Sequence, residues 1–203
     1  LLQVYLRDSG ITHTHITNCC FAIAGPIENQ RVKMTNCDWE ISASSINTAL
    51  GIESTVLIND FQAIAHSITH IPSEGMVQIG EPVFQSNKGP VSVLGPGTGL
   101  GASLLVPADN DTYTVIPTEG GHVALSARSE HELNIFNYWR NKGCRINREF
   151  FLSGIGLERI YEALCVDAGQ DDYKRYSVSQ IQQTGCNRED ELCERAMNVF
   201  CAL

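Results

Sequence analysis

The chain has 203 residues, with 43% apolar side chains, 18% charged side chains and a formal net charge of −9. That is enough apolar material for one large domain, or for one domain and part of another, and it excludes a disordered composition. The acidic balance argues against nucleic acid as a partner, because nucleic acid rewards basic faces, and no apolar run approaches a membrane span.

Taken in order, residues 1–18 read as the end of a helix and a polar connection, opening without Met. Cys19–Ala24 is a short apolar run closed by Gly25-Pro26, which predicts a buried strand and a turn. Arg31–Met34 alternates as an edge strand does, and Thr35–Trp39 is a polar loop carrying one large aromatic. Ser42 or Ser44 is placed to cap a helix running to Leu50, with Gly51 as its stop. Ser54–Ile58 is a β-branched strand ending at Asn59-Asp60, and Phe61, Ile64, Ala65 and Ile68 then follow helical spacing. Polar residues at the carboxyl end of a strand, just before a helix, commonly face the ligand crevice of α/β folds. Asp is equally common as a plain helix cap, so two readings of Asp60 stand side by side.

The stretch from Val91 to His122 carries the strongest local signal. Val91, Val93, Leu104 and Val106 flank Gly95, Gly97, Gly99 and Gly101, which predicts strand, glycine turn, strand. Such glycines are expected to take positive φ and to present successive amides as a concave anion site suited to phosphate. The dinucleotide fingerprint fails, because its last glycine position is Leu100, and no lysine follows as a Walker loop requires. A hairpin without a ligand remains the plain alternative on this stretch alone. Thr118-Glu119-Gly120-Gly121-His122 then adds a carboxylate and an imidazole, groups that read hydroxyls, beside glycines that let a backbone approach closely.

Ser129–Glu132 is a capping-box pattern for a helix with Leu133, Ile135, Phe136 and Trp139 on its apolar side, ending near Gly143. Glu149 precedes an apolar Phe150–Leu152, Ser153–Gly156 reads as a turn, and a helix follows through Leu157, Ile160, Tyr161 and Leu164. Asp167–Tyr176 reads as a polar loop, and Asn187 is placed to cap a last helix through Leu192, Ala196, Val199 and Phe200. The eight cysteines include no C-x-x-C pair and are expected as buried free thiols of a cytoplasmic protein. His13, His15 and Cys19 lack a second ligand pair with zinc-finger spacing, so no metal site is expected from them.

In this order, CFAIAGPI within Cys19–Ile27, MTNCDW (Met34–Trp39), LINDF (Leu57–Phe61), LGPGTGLG (Leu94–Gly101), PTEGGH (Pro117–His122) and REFFLSGIGLERIY (Arg148–Tyr161) resemble the bacterial ATP-dependent, non-ROK glucokinases. The resemblance covers essentially the whole chain. It implies an α/β, actin-like or hexokinase-type (ribonuclease H-like) fold, whose two domains close over sugar and ATP. Residues 1–60 would be the remainder of the small N-terminal domain, and 61–203 part of the larger one. By that resemblance Asp60 is the catalytic base, and Asn59, Glu119, His122 and Glu149 bind sugar hydroxyls. Asn36 lies beside the sugar, and Gly97, Thr98 and Gly99 approach the ATP phosphates. Glucose, ATP and Mg²⁺, a cytoplasmic location and a homodimer are implied with them. The family's Asp-x-Gly-Gly-Thr loop and C-terminal glycine-rich segment are not among these residues. The expectation is therefore an internal part of a longer glucokinase, inactive alone.

Two other classes compete. One is a related hexose or amino-sugar kinase; the ROK type among these usually carries a cysteine-rich zinc motif after its sugar-site histidine, whereas VALSARSEHEL follows His122 here. The other is a non-catalytic sugar-sensing regulator, which is expected to lack the base that Asp60 supplies.

Overall fold

The computed structural model describes residues 2–11, 16–34, 38–81, 89–109 and 112–203, so Asn36, His13 and His15 lie outside the described residues. By their internal contacts the residues form two units: 1–93 with 103–117, and 94–102 with 118–203.

The first unit opens with helix α1 (Leu2–Asp8) and strand β1 (Asn18–Ile23). β1 pairs in parallel with β4 (Ser54–Asn59), with Asn18 opposite Ser54 and Ile23 opposite Asn59. Between them β2 (Arg31–Lys33) and β3 (Glu40–Ser42) form an antiparallel pair, and β3 leads directly into α2 (Ala43–Leu50). Of the two candidate serines, Ser42 is the cap: its hydroxyl accepts from the Ser45 amide at 3.1 Å. Gly51, at φ +66°, ends the helix by donating its amide to the Asn47 carbonyl at 2.8 Å. That left-handed conformation is why glycine stands there.

β4 has a side-chain partner as well as β1. The Gln30 amide lies along it, its Oε1 accepting from Leu57 N–H at 2.7 Å and its Nε2 donating to the Leu57 carbonyl at 3.4 Å. Leu57 itself is buried with Val32 and Ala43, against Phe21, Ile23 and Ile41. The strand is thus fixed three residues before Asp60, where α3 (Asp60–Ile68) begins. α3 packs through Ala65 onto Val93 of β5 (Val91–Pro96) and Leu105 of β6 (Leu100–Pro107). β5, β6 and β7 (Tyr113–Thr118) form a three-stranded sheet in that order. By these contacts α3 lies within the first unit.

The second unit is helical: α4 (Glu130–Asn141), α5 (Arg148–Phe151), α6 (Gly154–Asp167), α7 (Val178–Cys186) and α8 (Glu191–Ala202). Its core stacks Phe136 on Phe151, ring centroids 4.9 Å apart, with Ile160, Leu164, Ile181 and Cys193 fully enclosed around them. Truncating either Phe to Ala in such a core costs about 3–5 kcal/mol. Gly156 permits the tight entry to α6, since a Cβ there would fall on the Phe151 carbonyl.

Several sequence expectations are corrected. α7 forms in a stretch where no element is expected, and Gln180 stabilises its start by accepting from the Ser177 amide at 3.0 Å. Asn187 closes α7, and Asp190 instead caps α8, accepting from the Leu192 and Cys193 amides. Only half of the box at α4 forms: Ser129 accepts from Glu132 N–H, while the Glu132 carboxylate turns back to the Arg128 amide at 2.6 Å. Leu133 faces solvent. β1 is not a fully buried strand, because Asn18, Cys20 and Ala22 alternate outward. Among the described cysteines Cys165 and Cys193 are buried, but Cys20, Cys186 and Cys201 are exposed.

α4 and α6 are tied by a polar cluster. Lys142 Nζ meets Glu162 Oε1 at 2.7 Å, and Tyr138 donates to the same oxygen at 2.8 Å. Burial works against the Glu162 carboxylate, but the hydrogen bonds from Lys142 and Tyr138 outweigh it and hold its pKa below the usual glutamate range. A carboxylate depressed on folding stabilises above its unfolded pKa, and that stabilisation is lost as pH falls through the folded value. Between pH 5 and 3 the melting temperature of Glu162→Gln should therefore fall less steeply than that of the wild type. Parallel slopes in a thermal melt series would show that the cluster contributes nothing.

Candidate active site

The turn Gly97-Thr98-Gly99 joins β5 to β6, and Gly97 N–H donates across it to the Gly99 carbonyl at 2.8 Å. The Gly97 carbonyl in turn accepts from Gly154 N–H, the first residue of α6, at 2.8 Å. Gly95, Gly97, Gly99 and Gly101 do not take the positive φ expected of them. Close approach explains glycine at 99 instead, because a Cβ there would fall on the Glu149 carboxylate. The expected run of free amides is also shorter. Gly97 and Leu100 spend theirs internally, while those of Thr98 and Gly99 make no hydrogen bond among the described residues. A Cβ on Gly97 would meet open space, so the turn has an unobstructed face.

Glu149 reaches this turn from α5. The helix is started by Asn147, whose Oδ1 accepts from Phe150 N–H at 2.8 Å. Arg148 N–H donates to the Val123 carbonyl at 3.0 Å, and Ala124 bridges to Asn147. This joins the start of α5 to the segment just after His122. Glu149 Oε2 then accepts from the Leu100 amide at 2.9 Å, and Oε1 lies 3.4 Å from His122 Nε2. On the other side of the imidazole, Nδ1 lies 3.6 Å from Glu119 Oε2.

Residues 120–122 form one 3-10 turn, closed by His122 N–H donating to the Glu119 carbonyl at 3.0 Å. Thr118 anchors it: its hydroxyl donates to the Ala102 carbonyl at 3.3 Å and accepts from Gly120 N–H at 3.2 Å. Gly121 is buried, with a missing Cβ that would otherwise fall on the Leu100 carbonyl. Glu119, His122 and Glu149 therefore converge beside the glycine turn within one unit. Their side chains remain 69%, 58% and 37% exposed. At 3.4–3.6 Å the imidazole makes no strong hydrogen bond to either carboxylate, and such exposed pairs contribute only about 0–1 kcal/mol. Their polar atoms remain open to solvent.

Asn59 and Asp60 sit in the first unit, where β4 ends and α3 begins. The helix cap is Asn59, not Asp60: its Oδ1 accepts from Phe61 N–H at 2.9 Å and Gln62 N–H at 3.4 Å. Its Nδ2 donates to the Gly25 carbonyl at 3.3 Å. Asp60 is the first helical residue, and its Oδ1 shares the Phe61 amide at 2.9 Å. Its Oδ2 makes no hydrogen bond among the described residues. Sequence reasoning missed Gln30, which steadies β4 below this pair; its positive φ of 58° lies in a turn that carries no glycine to mark it.

The glucokinase family model matches residues 1–203. The chain belongs to the glucokinase family. It is 38% identical to the glucokinase of Campylobacter jejuni subsp. doylei, a match over 100% of this chain and 60% of that protein. The chain thus spans about 60% of the length of the curated relatives it matches. Among solved structures, a glucokinase from an Antarctic psychrotroph superposes with a TM-score of 0.78 at 29% identity, covering 98% of this chain and 61% of that one. Balamuthia mandrillaris glucokinase in complex with glucose superposes at 0.70 over 89% of this chain and 56% of that one, and its 23% identity supports the fold alone. The fold is that of the α/β sugar kinases, and among the described residues no helix is long and apolar enough to cross a membrane.

The division of labour between Asn59 and Asp60 is open to measurement. Asn59→Ala should cost about 0.5–2 kcal/mol in chemical denaturation, the usual loss for an N-cap, because both its cap and its tie to Gly25 disappear. Asp60→Ala should cost clearly less. If the two variants lose equal stability, the cap is shared and Asn59 holds no special place.

Proposed function

We propose that this chain is part of a glucokinase that transfers the γ-phosphoryl group of ATP to the 6-hydroxyl of glucose. The observation that carries the reading is the convergence of Glu119, His122 and Glu149 beside an open-faced glycine turn, in a chain matched along its whole length by the glucokinase model. Hydroxyls suit this set, since each carboxylate accepts from them and the imidazole can do either. The amides of Thr98 and Gly99, without a hydrogen bond among the described residues, are donors of the kind that meet phosphate oxygens.

Phosphoryl transfer asks the protein mainly for positioning and charge stabilisation. In this reading Asp60 takes the proton of the 6-hydroxyl as that oxygen bonds to the γ-phosphorus, and the bond to ADP breaks. Oδ2, which makes no hydrogen bond among the described residues, is the oxygen that would take that proton. Asn59 helps set the angle of Asp60 through the cap, and its second amide hydrogen remains for a sugar hydroxyl. Asn36 stays with the sugar by resemblance only.

Mg²⁺ would supply charge neutralisation at the phosphates. Among the described residues no three His, Cys, Asp or Glu side chains gather to hold a metal. Mg²⁺ is usually held chiefly by substrate phosphates with one or two carboxylates. Homodimerisation and a cytoplasmic location rest on the resemblance alone.

The test uses the intact protein that carries this chain. Asp60→Asn keeps shape and capping ability, so glucose affinity and melting temperature should hold within a few-fold and a few degrees. Turnover in a coupled assay should drop by about 10²–10⁴, the usual contribution of a positioned base. A near-normal kcat would remove Asp60 from the mechanism. Separately, Glu119→Gln should weaken glucose by about tenfold, as expected for the loss of one charged hydrogen bond, and leave nucleotide affinity measured without sugar unchanged. Unchanged glucose binding would mean that the 118–122 segment is not the sugar grip.

A further inference from the structure

The Leu100 backbone is held from two sides. Glu149 accepts its amide hydrogen at 2.9 Å, and Gly121 lies against its carbonyl so closely that no side chain could stand between them. Leu100 is also the residue that ends the glycine turn, whose other end is tied to α6 through Gly97 and Gly154. The two sides that hold Leu100 are not independent. Gly121 belongs to the same short turn as His122, and Glu149 Oε1 lies 3.4 Å from His122 Nε2. One carboxylate therefore faces the imidazole with one oxygen and the turn with the other.

We propose that Glu149 is a positioning residue that couples occupancy of the sugar site to the geometry of the nucleotide turn, through its bond to the Leu100 amide. The inference rests on the sugar-kinase reading above and adds to it a route between the two substrates. A carboxylate is planar, so fixing one oxygen orients the other. A hydroxyl bound at Oε1 restricts the side chain and holds Oε2 on the Leu100 amide. That leaves the turn already ordered when phosphate arrives, and the second ligand then loses less freedom on binding. Linkage makes the effect reciprocal: nucleotide must tighten sugar by the same factor by which sugar tightens nucleotide. Gly99 is the point at which the route can be cut from the side, because any Cβ there must displace the Glu149 oxygen.

The experiment measures glucose affinity by calorimetry in the intact protein, with and without a non-hydrolysable ATP analogue. In the wild type the analogue should tighten glucose by about fivefold or more, the usual lower range of such coupling. Glu149→Ala should weaken glucose by about tenfold and bring the coupling factor to one. Gly99→Ala should weaken glucose about as much even without nucleotide. The double variant should match Glu149→Ala within twofold, because both changes break one contact. Glu149→Gln retains an oxygen for the Leu100 amide and should keep part of the coupling. Slow hydrogen exchange at Leu100 should be lost in Gly99→Ala and Glu149→Ala at near-normal melting temperature, which separates a lost latch from a misfolded unit. An uncoupled wild type, a Gly99→Ala variant with normal glucose affinity, or fully additive effects in the double variant would each overturn the proposal while leaving the kinase reading intact. A wild type that binds no glucose would sink both.

Discussion

In the second unit an added Cβ would press on backbone at Gly121 against the Leu100 carbonyl, at Gly156 against the Phe151 carbonyl and at Gly185 against the Cys193 carbonyl, and at Gly99 it would displace the Glu149 carboxylate. These close approaches set the positions of almost everything else in the site. The approach at Gly156 lets α6 start immediately after α5, so that Phe151 can stack on Phe136 inside the core. α5 is thereby a rigid base for Glu149, although it spans only four residues. The approaches at Gly99 and Gly121 then bring a carboxylate and a 3-10 turn onto one backbone residue. Overpacking in a fitted interior usually costs about 1–3 kcal/mol, so Gly121 and Gly156, which face backbone carbonyls, are held in place by sterics rather than by flexibility.

This changes what the glycine cluster means. A run of alternating glycines reads naturally as a backbone in left-handed conformations, presenting several amides at once. Positive φ occurs elsewhere, at Gly51 and Gly143 among others, where helices end. In the 95–101 stretch the missing side chain of Gly99 instead admits Glu149, and the Leu100 amide goes to its carboxylate 49 residues away. A single sequence carries the glycine but not the partner, which is why the turn was legible and its purpose was not.

The same contrast runs through the fold. Local chemistry was readable: Ser42 and Gly51 bound α2, Ser129 caps α4, and strand, turn, strand appears at β5 and β6. Elements that depend on distant packing were not. α7 offers Val178 and Ile181 to a core already defined by α6 and α8, so its sequence lacks a full apolar stripe. β3 is three residues long and exists because β2 pairs with it. For the candidate site, the types of residue were legible in LINDF and PTEGGH. The arrangement in which His122 lies between two carboxylates depends on α5, which no spacing rule links to residues 119–122.

In the proposed reading the adjacent residues Asn59 and Asp60, at the end of β4, would divide helix capping from proton acceptance. An oxygen that accepts amide hydrogens at a helix start is stabilised as an anion and is a poorer proton acceptor for it. With Asn59 taking two amides through a neutral oxygen, Asp60 keeps one carboxylate oxygen without a hydrogen bond among the described residues. The Gln30 amide contributes from the other direction, fixing the backbone at Leu57 without adding charge near the carboxylate. Neutral side chains do the structural work on both sides of Asp60. The proposed role of Asp60 as the base would use the carboxylate oxygen that makes no hydrogen bond among the described residues.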